Sequence, residues 1–179
     1  IYPMVAASAA TLLKTMGHDV YWDDGIARQW TFEQWRDNLI REKPDLIAIE
    51  TKTPVVKQHW AIADGIKREI PGTVVALMGD HVTAMPEETM RMSPCDFALT
   101  GGDFDFLLAN IANHVEFGDD LEPGIWSRSN GDIANTGPFR LDHDLNTLPF
   151  IDRELTMWNL YGEPLYKRGP FTYTMVGRD

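Results

Sequence analysis

The stretch Thr73-Val74-Val75-Ala76-Leu77-Met78-Gly79-Asp80-His81 decides the fold. Its first six residues carry no charge, show no polar alternation and are bounded by Pro71-Gly72 and Gly79, so they read as a short strand covered on both faces. Asp45-Leu46-Ile47-Ala48-Ile49-Glu50, with four apolar residues between two carboxylates, reads as another strand. Between the two, Val55, Val56, Trp60, Ile62, Ala63, Ile66 and Ile70 recur at helical spacing. Two buried strands joined by a helix and short connections must lie parallel, because an antiparallel pair needs no crossover.

Working outward, the pattern continues on both sides. Ala6, Ala7, Ala9, Ala10, Leu12, Leu13 and Met16 form an apolar helix ended by Gly17, and residues 18–22 read as a strand stopped by Asp23-Asp24-Gly25. Thr31 starts a helix with Phe32, Trp35, Leu39 and Ile40 on one face, and Lys43-Pro44 ends it. Pro86-Glu87-Glu88 suits the first turn of another helix, since Pro tolerates that position and carboxylates favour the positive end of the dipole. Phe97-Ala98-Leu99-Thr100 is a strand, and Phe106, Leu107, Ile111, Ala112 and Val115 a helix closed by Gly118. The predicted fold over residues 1–118 is α/β: a doubly wound, mainly parallel, Rossmann-like (flavodoxin-like) sheet with helices on both faces.

Residues 119–169 change character. Residues 124–128 and 132–135 flank Ser129-Asn130-Gly131, a small β-hairpin whose Asn-Gly supplies the positive φ angles. An extended linker follows, with one helical turn near residues 152–158, and Leu148-Pro149-Phe150 and Trp158 need a surface to pack on. Tyr173-Thr174-Met175-Val176 reads as one further strand within residues 170–179.

The chain has 179 residues, 44% of them hydrophobic, and 16 basic against 27 acidic side chains, for a net charge of -11. Such a chain buries a core. The acidic balance, without a basic cluster, argues against nucleic acid and anionic membranes as partners. No run is long and apolar enough to span a bilayer, and Ile1-Tyr2-Pro3 lacks the basic flank of a signal peptide, so a cytoplasmic protein is expected. The missing initiator Met leads us to expect an interior fragment. The single cysteine, Cys95, excludes an internal disulfide and reads as a buried, inert thiol.

In an open α/β sheet ligands bind outside the carboxyl ends of the strands, which singles out residues 23–25, 50–54, 79–83 and 100–103. Gly79 there permits close backbone approach to a bulky ligand, although a tight turn with Asp80 and His81 solvated explains it equally. Asp80 beside His81 is too little for a metal site, and His18, His59, His114 and His143 lie away from the strand ends, so no metal ligand is assigned. Thr51 and Thr53 offer hydroxyls to a ligand's polar edge, while Thr53-Pro54 also fits a helix cap followed by the first helical residue. Gly101-Gly102 lets a ligand approach the next helix, but neither G-x-G-x-x-G nor a P-loop is present. Asp23-Asp24 invites comparison with phosphoacceptor receiver domains, whose later Lys would have to be replaced by Arg128.

Pro3-x-x-Ala6-x-x-Ala9 before Gly17-His18-Asp19-Val20, Pro44-Asp45-Leu46-Ile47, Met78-Gly79-Asp80-His81-Val82-Thr83-Ala84-Met85-Pro86-Glu87-Glu88 and Cys95-Asp96-Phe97-Ala98-Leu99-Thr100-Gly101-Gly102-Asp103 form a series. Together they resemble the cobalamin-binding domain of cobalamin-dependent radical S-adenosylmethionine enzymes, which include anaerobic magnesium-protoporphyrin ester cyclases and methyltransferases. Leu145-Asn146-Thr147-Leu148-Pro149-Phe150-Ile151-Asp152-Arg153 resembles the family's linker. Residues 173–179 resemble its first barrel strand, just ahead of the Cys-x-x-x-Cys-x-x-Cys cluster motif.

The resemblance implies a cobalamin site walled by Thr51, Thr53, Gly79, Asp80, His81, Thr83, Gly101 and Gly102, and it assigns no catalytic residue. It also implies that the family's first sheet strand and its cluster cysteines are missing here. S-adenosylmethionine and a four-iron four-sulfur cluster would belong to the full-length enzyme, with the barrel of the same chain as partner, and the fragment alone would not be catalytically competent. The D-x-H-x-x-G loop that supplies an axial His in other cobalamin domains is absent, so the lower face of the cobalt would meet water or the loop around Tyr2-Pro3. The alternative is a stand-alone flavodoxin-like domain that binds a nucleotide or carries a phosphoryl group in signalling.

Overall fold

The computed structural model describes residues 2–162, so the strand and barrel start expected within 170–179 lie outside the described residues. Three parallel strands, β1 (Leu46–Glu50), β2 (Val74–Met78) and β3 (Phe97–Leu99), continue into antiparallel β4 (Ile125–Ser129) and β5 (Asp132–Asn135). Their spatial order is β1-β2-β3-β4-β5. The chain also forms α1 (Met4–Thr15), α2 (Phe32–Glu42), α3 (Val56–Glu69), α4 (Asp80–Ala84), α5 (Pro86–Met92) and α6 (Phe104–Phe117).

The uncharged strand is buried on both sides, as its composition requires. Ala76 and Met78 of β2, with Phe97, Leu99 and Ile125, pack on α1 and α6. Val75 and Leu77, with Ala98, pack on Leu39 of α2, Trp60 and Ile66 of α3, and Met90 of α5. Period-two alternation thus sends successive side chains of one strand into two separate cores. This is the Rossmann-like α/β architecture read from the sequence.

The element ends follow local chemistry. Thr31 and Gln34 form a reciprocal capping box on α2, Pro86 sits in the first turn of α5, and Gly118 closes α6 at φ 80°. Asn130 and Gly131 both have positive φ, 52° and 90°, as a two-residue hairpin turn demands. The hairpin does not stand beyond the sheet. Leu99 pairs with Ile125 and Phe97 with Ser127, so the hairpin extends the sheet past β3.

Residues 18–22 form no strand, contrary to expectation. Side-chain contacts hold them elsewhere: His18 Nδ1 lies 3.3 Å from Glu116 Oε2 of α6, Val20 packs on the α1/α6 core, and Trp22 Nε1 donates to Tyr161 Oη at 2.9 Å. Among the described residues β1 is therefore an edge strand.

The linker finds its surface on α1. Ile151, Trp158 and Tyr161 pack against Tyr2, Met4, Ala7 and Trp22, whereas Phe150 stays fully exposed. Asp152 fixes the approach: its N–H donates to Thr11 Oγ1 at 3.0 Å and its carboxylate accepts Lys14 Nζ at 2.6 Å. The Tyr2 and Thr156 hydroxyls meet at 2.5 Å. Cys95 is fully buried, its Sγ 3.6 Å from Met90 Sδ, and burial pushes its thiol up to about 11.

Candidate functional site at the strand ends

Parallel strands end side by side, so β1, β2 and β3 deliver residues distant in sequence to one edge of the sheet. All eight residues singled out in the sequence fall on that edge or in the first turn after it, and contacts join six of them in three pairs. Gly79 (φ 119°) lies so close to Thr51 that a Cβ built on it would stand 2.3 Å from the Thr51 carbonyl oxygen. The close approach required of Gly79 is thus satisfied by a neighbouring strand end. Thr53 Oγ1 and His81 Nδ1 are 3.3 Å apart. Thr83 Oγ1 accepts the Gly101 N–H at 3.1 Å and donates to the Gly101 carbonyl at 3.2 Å.

Two expectations for these loops are corrected. Residues 80–84 are helical, because α4 starts directly after Gly79, and His81 is buried rather than solvated, whereas Asp80 beside it is exposed. Thr53 does not cap α3, which begins at Val56 after Val55. Its hydroxyl turns to His81, whose ring also meets Trp60 edge-on at 5.9 Å.

Hydrogen-bonding capacity is left over on the β1/β2 side. Thr51 is fully buried and its Oγ1 has no hydrogen-bond partner. His81 Nε2 is likewise buried without one, its nearest charge being Glu88 Oε2 at 3.7 Å. A buried polar atom without a partner costs on the order of 1–3 kcal/mol, so each such atom calls for an explanation. Glu50, the last residue of β1, has its carboxyl raised by burial, with Lys52 opposing and Asp80 adding to the shift.

On the β3 side the glycines are partly covered, by side chains that are themselves about half exposed, Phe139 at 43% and Leu141 at 51%. The Phe139 ring lies against Gly101 (φ 98°), where a Cβ would come within 2.9 Å of it, and Leu141 lies over Gly102. His143, read from the sequence as remote from the strand ends, is beside them. Its Nδ1 and Nε2 lie 2.9 Å from Asp103 Oδ2 and 2.9 Å from Glu122 Oε2, and its ring stacks on Phe106 at 4.4 Å. Burial opposes a charge on this ring, but bonding and attraction to the two carboxylates outweigh it and raise the imidazole above its ordinary value. No local pattern announces this return of the chain.

The parts of a phosphoacceptor site are apart. Arg128 donates to the carbonyls of Met90, Ser93 and Cys95, at the amino end of β3. Asp24 accepts the Ala27 N–H and the Tyr161 hydroxyl, and Asp23 accepts Asn38 Nδ2. Among the described residues no group of three His, Cys, Asp or Glu side chains could hold a metal ion, and no helix is long and apolar enough to cross a membrane. A cleft of about 360 Å³ between α2 and α3, lined by Phe32, Trp35, Leu39, Ile62, Ile66 and Ile70, lies along the half of α3 that leads into β2.

No family model matches the chain. It is 26% identical over 161 residues to an uncharacterized methyltransferase of Pyrococcus horikoshii, covering 89% of this chain and 35% of that protein. It is also 26% identical over 117 residues to the anaerobic magnesium-protoporphyrin IX monomethyl ester cyclase of Rubrivivax gelatinosus, covering 65% of this chain and 21% of the cyclase. The chain therefore spans about a third or less of the curated relatives it matches. In fold it is similar to TsrM of Kitasatospora setae, a radical S-adenosylmethionine methyltransferase whose structure holds cobalamin and a [4Fe-4S] cluster, with a TM-score of 0.67 and 19% identity over 83% of this chain and 28% of TsrM. In sequence and in fold, then, the chain resembles the cobalamin-dependent radical S-adenosylmethionine enzymes.

Proposed function

We propose that this chain is a cobalamin-binding module and that the cofactor lies across the carboxyl ends of β1, β2 and β3. The observation that carries the reading is the pair of buried, unpartnered polar atoms at that edge, Thr51 Oγ1 and His81 Nε2. A corrinoid is rimmed with amides, and hydroxyls, an imidazole and backbone N–H groups are the donors and acceptors that amides need. A metal ion would need several His, Cys, Asp or Glu ligands together, and among the described residues no group of three such side chains could hold one. The likeness to TsrM supports the same assignment.

In this reading Thr51 and His81 bind the amide edge, and Thr53 orients the His81 ring through Nδ1. Thr83 holds the Gly101 peptide in place, and Gly79 keeps the β1 and β2 ends close enough to act together. Cobalamin, when bound, supplies cobalt-centred group-transfer or radical chemistry that side chains do not provide. The single, buried Cys95 cannot supply the thiolates of an iron–sulfur cluster, so S-adenosylmethionine cleavage and the choice of substrate would reside outside these residues.

The test is direct. The purified chain is incubated anaerobically with hydroxocobalamin and desalted, and the absorption spectrum of the protein fraction is recorded. Stoichiometric corrinoid on the folded protein is the expected result, with retention reduced in Thr51→Val; a folded protein that emerges colourless rejects the proposal.

A further inference from the structure

Phe139 occupies a seat made by two glycines. Gly101 and Gly124 both have positive φ, 98° and 95°, and a Cβ on either would stand within 3.0 Å of Phe139 atoms. Leu141 continues the cover over Gly102 at 3.6 Å from where a Cβ would be. Two residues on, His143 is held at both ring nitrogens by Asp103, which follows the double glycine, and Glu122, which precedes β4. At the other end of this segment Gly137 has φ 94° with open space around it, and its carbonyl accepts the Gly124 N–H at 3.2 Å. A short piece of chain thus has a permissive joint at its start, an aromatic plug in its middle and an ionic clasp at its end.

We propose that residues 137–143 form a strap that closes the β3 side of the strand-end site, with Phe139 as its plug and the His143 bridge to Asp103 and Glu122 as its latch. What the strap covers rests on the proposed cobalamin site; the strap itself rests on the seat and the clasp. A ligand using the Gly101-Gly102 backbone must displace Phe139, so opening the latch sets how fast the ligand enters.

The latch is sensitive to pH. The groups facing His143 are Asp103 and Glu122, with uncharged Phe106 of α6 against its ring; Arg140, Asp142 and Asp144 are the charged neighbours on its own segment. Because the latched imidazole binds its proton more tightly than a free one, the latch is at full strength below the ordinary histidine range and weakens as pH rises through the latched value.

Arg140, exposed in the middle of the strap, reports its opening without any corrinoid. Trypsin cleavage after Arg140 is followed by mass spectrometry from pH 6 to 8.5 and normalised at each pH to a small peptide substrate. We expect cleavage of the wild-type chain to rise several-fold across this range. His143→Gln, which cannot titrate, gives a flat profile, and His143→Ala and Phe139→Ala are cut quickly at every pH. In stopped-flow mixing with hydroxocobalamin the two alanine variants bind faster than wild type. Cleavage that is independent of pH in wild type and unchanged in both alanine variants overturns the strap. If cleavage behaves as expected but no form takes up hydroxocobalamin, the strap stands and the cobalamin reading falls.

Discussion

The Thr83 hydroxyl brackets Gly101, accepting its N–H at 3.1 Å and donating to its carbonyl at 3.2 Å. Helix α4 after β2 and the turn after β3 are therefore fastened together, and the Thr83 hydroxyl has committed its one donor. The unused capacity lies on the β1 side, at Thr51 after β1 and at His81, on the same helix as Thr83. This asymmetry sets what each substitution at the edge should do.

Gly101→Ala meets two obstacles at once: a backbone at φ 98°, which favours glycine, and the Phe139 ring 2.9 Å from the new Cβ. We expect a loss of about 1–3 kcal/mol in chemical denaturation. Adding Phe139→Ala should restore the steric part and leave the backbone part, so the double variant is more stable than the sum of the two singles requires. Strict additivity would show that Phe139 does not press on Gly101.

Thr51→Val separates ligand binding from folding. The change keeps the branched shape and removes a buried hydroxyl oxygen that no protein group satisfies. Removing an unsatisfied polar atom costs little or stabilises, so the apo chain should unfold at the same denaturant concentration or a higher one. Hydroxocobalamin affinity should fall by about tenfold, the worth of one hydrogen bond of about 1.4 kcal/mol. A marked loss of apo stability would mean that Thr51 Oγ1 has a structural partner.

The edge of the sheet was legible because the signals that place it are local. An uncharged run between Pro71-Gly72 and Gly79 is a buried strand whatever surrounds it, and parallel strands carry their following residues to a common side. Contacts across the chain were not legible. The pairing of β4 with the three-residue β3, the return of His143 to Asp103 and the seating of Phe139 on two glycines join residues 15 to 40 positions apart, and no periodicity records them. Residues 18–22 show the converse: a strand-like pattern whose side chains are claimed by Glu116 and Tyr161 instead of a ladder.

Cys95 makes the fold sensitive to alkali. Burial raises its thiol from 9.0 to about 11, so the folded chain resists the ionisation that the unfolded chain undergoes. The associated stability is complete below pH 9 and is lost as pH rises towards 11, up to about 3 kcal/mol for a shift of this size. Other groups titrate in the same range, so the quantity to measure is the difference between wild type and Cys95→Ala, which should shrink from pH 8.5 to pH 11. A constant difference would place the thiol in contact with water.

The Tyr2–Thr156 hydroxyl contact ties the chain ahead of α1 to the segment that follows the strap. Thr156 is fully buried, and its hydroxyl also donates to the Asp152 carbonyl at 2.9 Å, which leaves its oxygen as the acceptor for Tyr2 Oη at 2.5 Å. Burial raises the Tyr2 phenol, with the Thr156 bond and nearby Arg153 pulling the other way, so the neutral phenol acts as donor at ordinary pH. Thr156→Val removes the oxygen that accepts the Tyr2 hydroxyl, which costs about 1–3 kcal/mol. Tyr2→Phe removes the donor and should cost less. In the double variant neither group remains to be satisfied, so a double-mutant cycle should return a coupling of about 1 kcal/mol. The same variants should expose the linker: Arg153, next to the Asp152 clasp on α1, becomes a faster trypsin site in Thr156→Val than in wild type. Zero coupling, with Arg153 equally protected in both, would show that the packing of Trp158 and Ile151 on Tyr2, Met4 and Ala7 holds the linker without the hydroxyl pair.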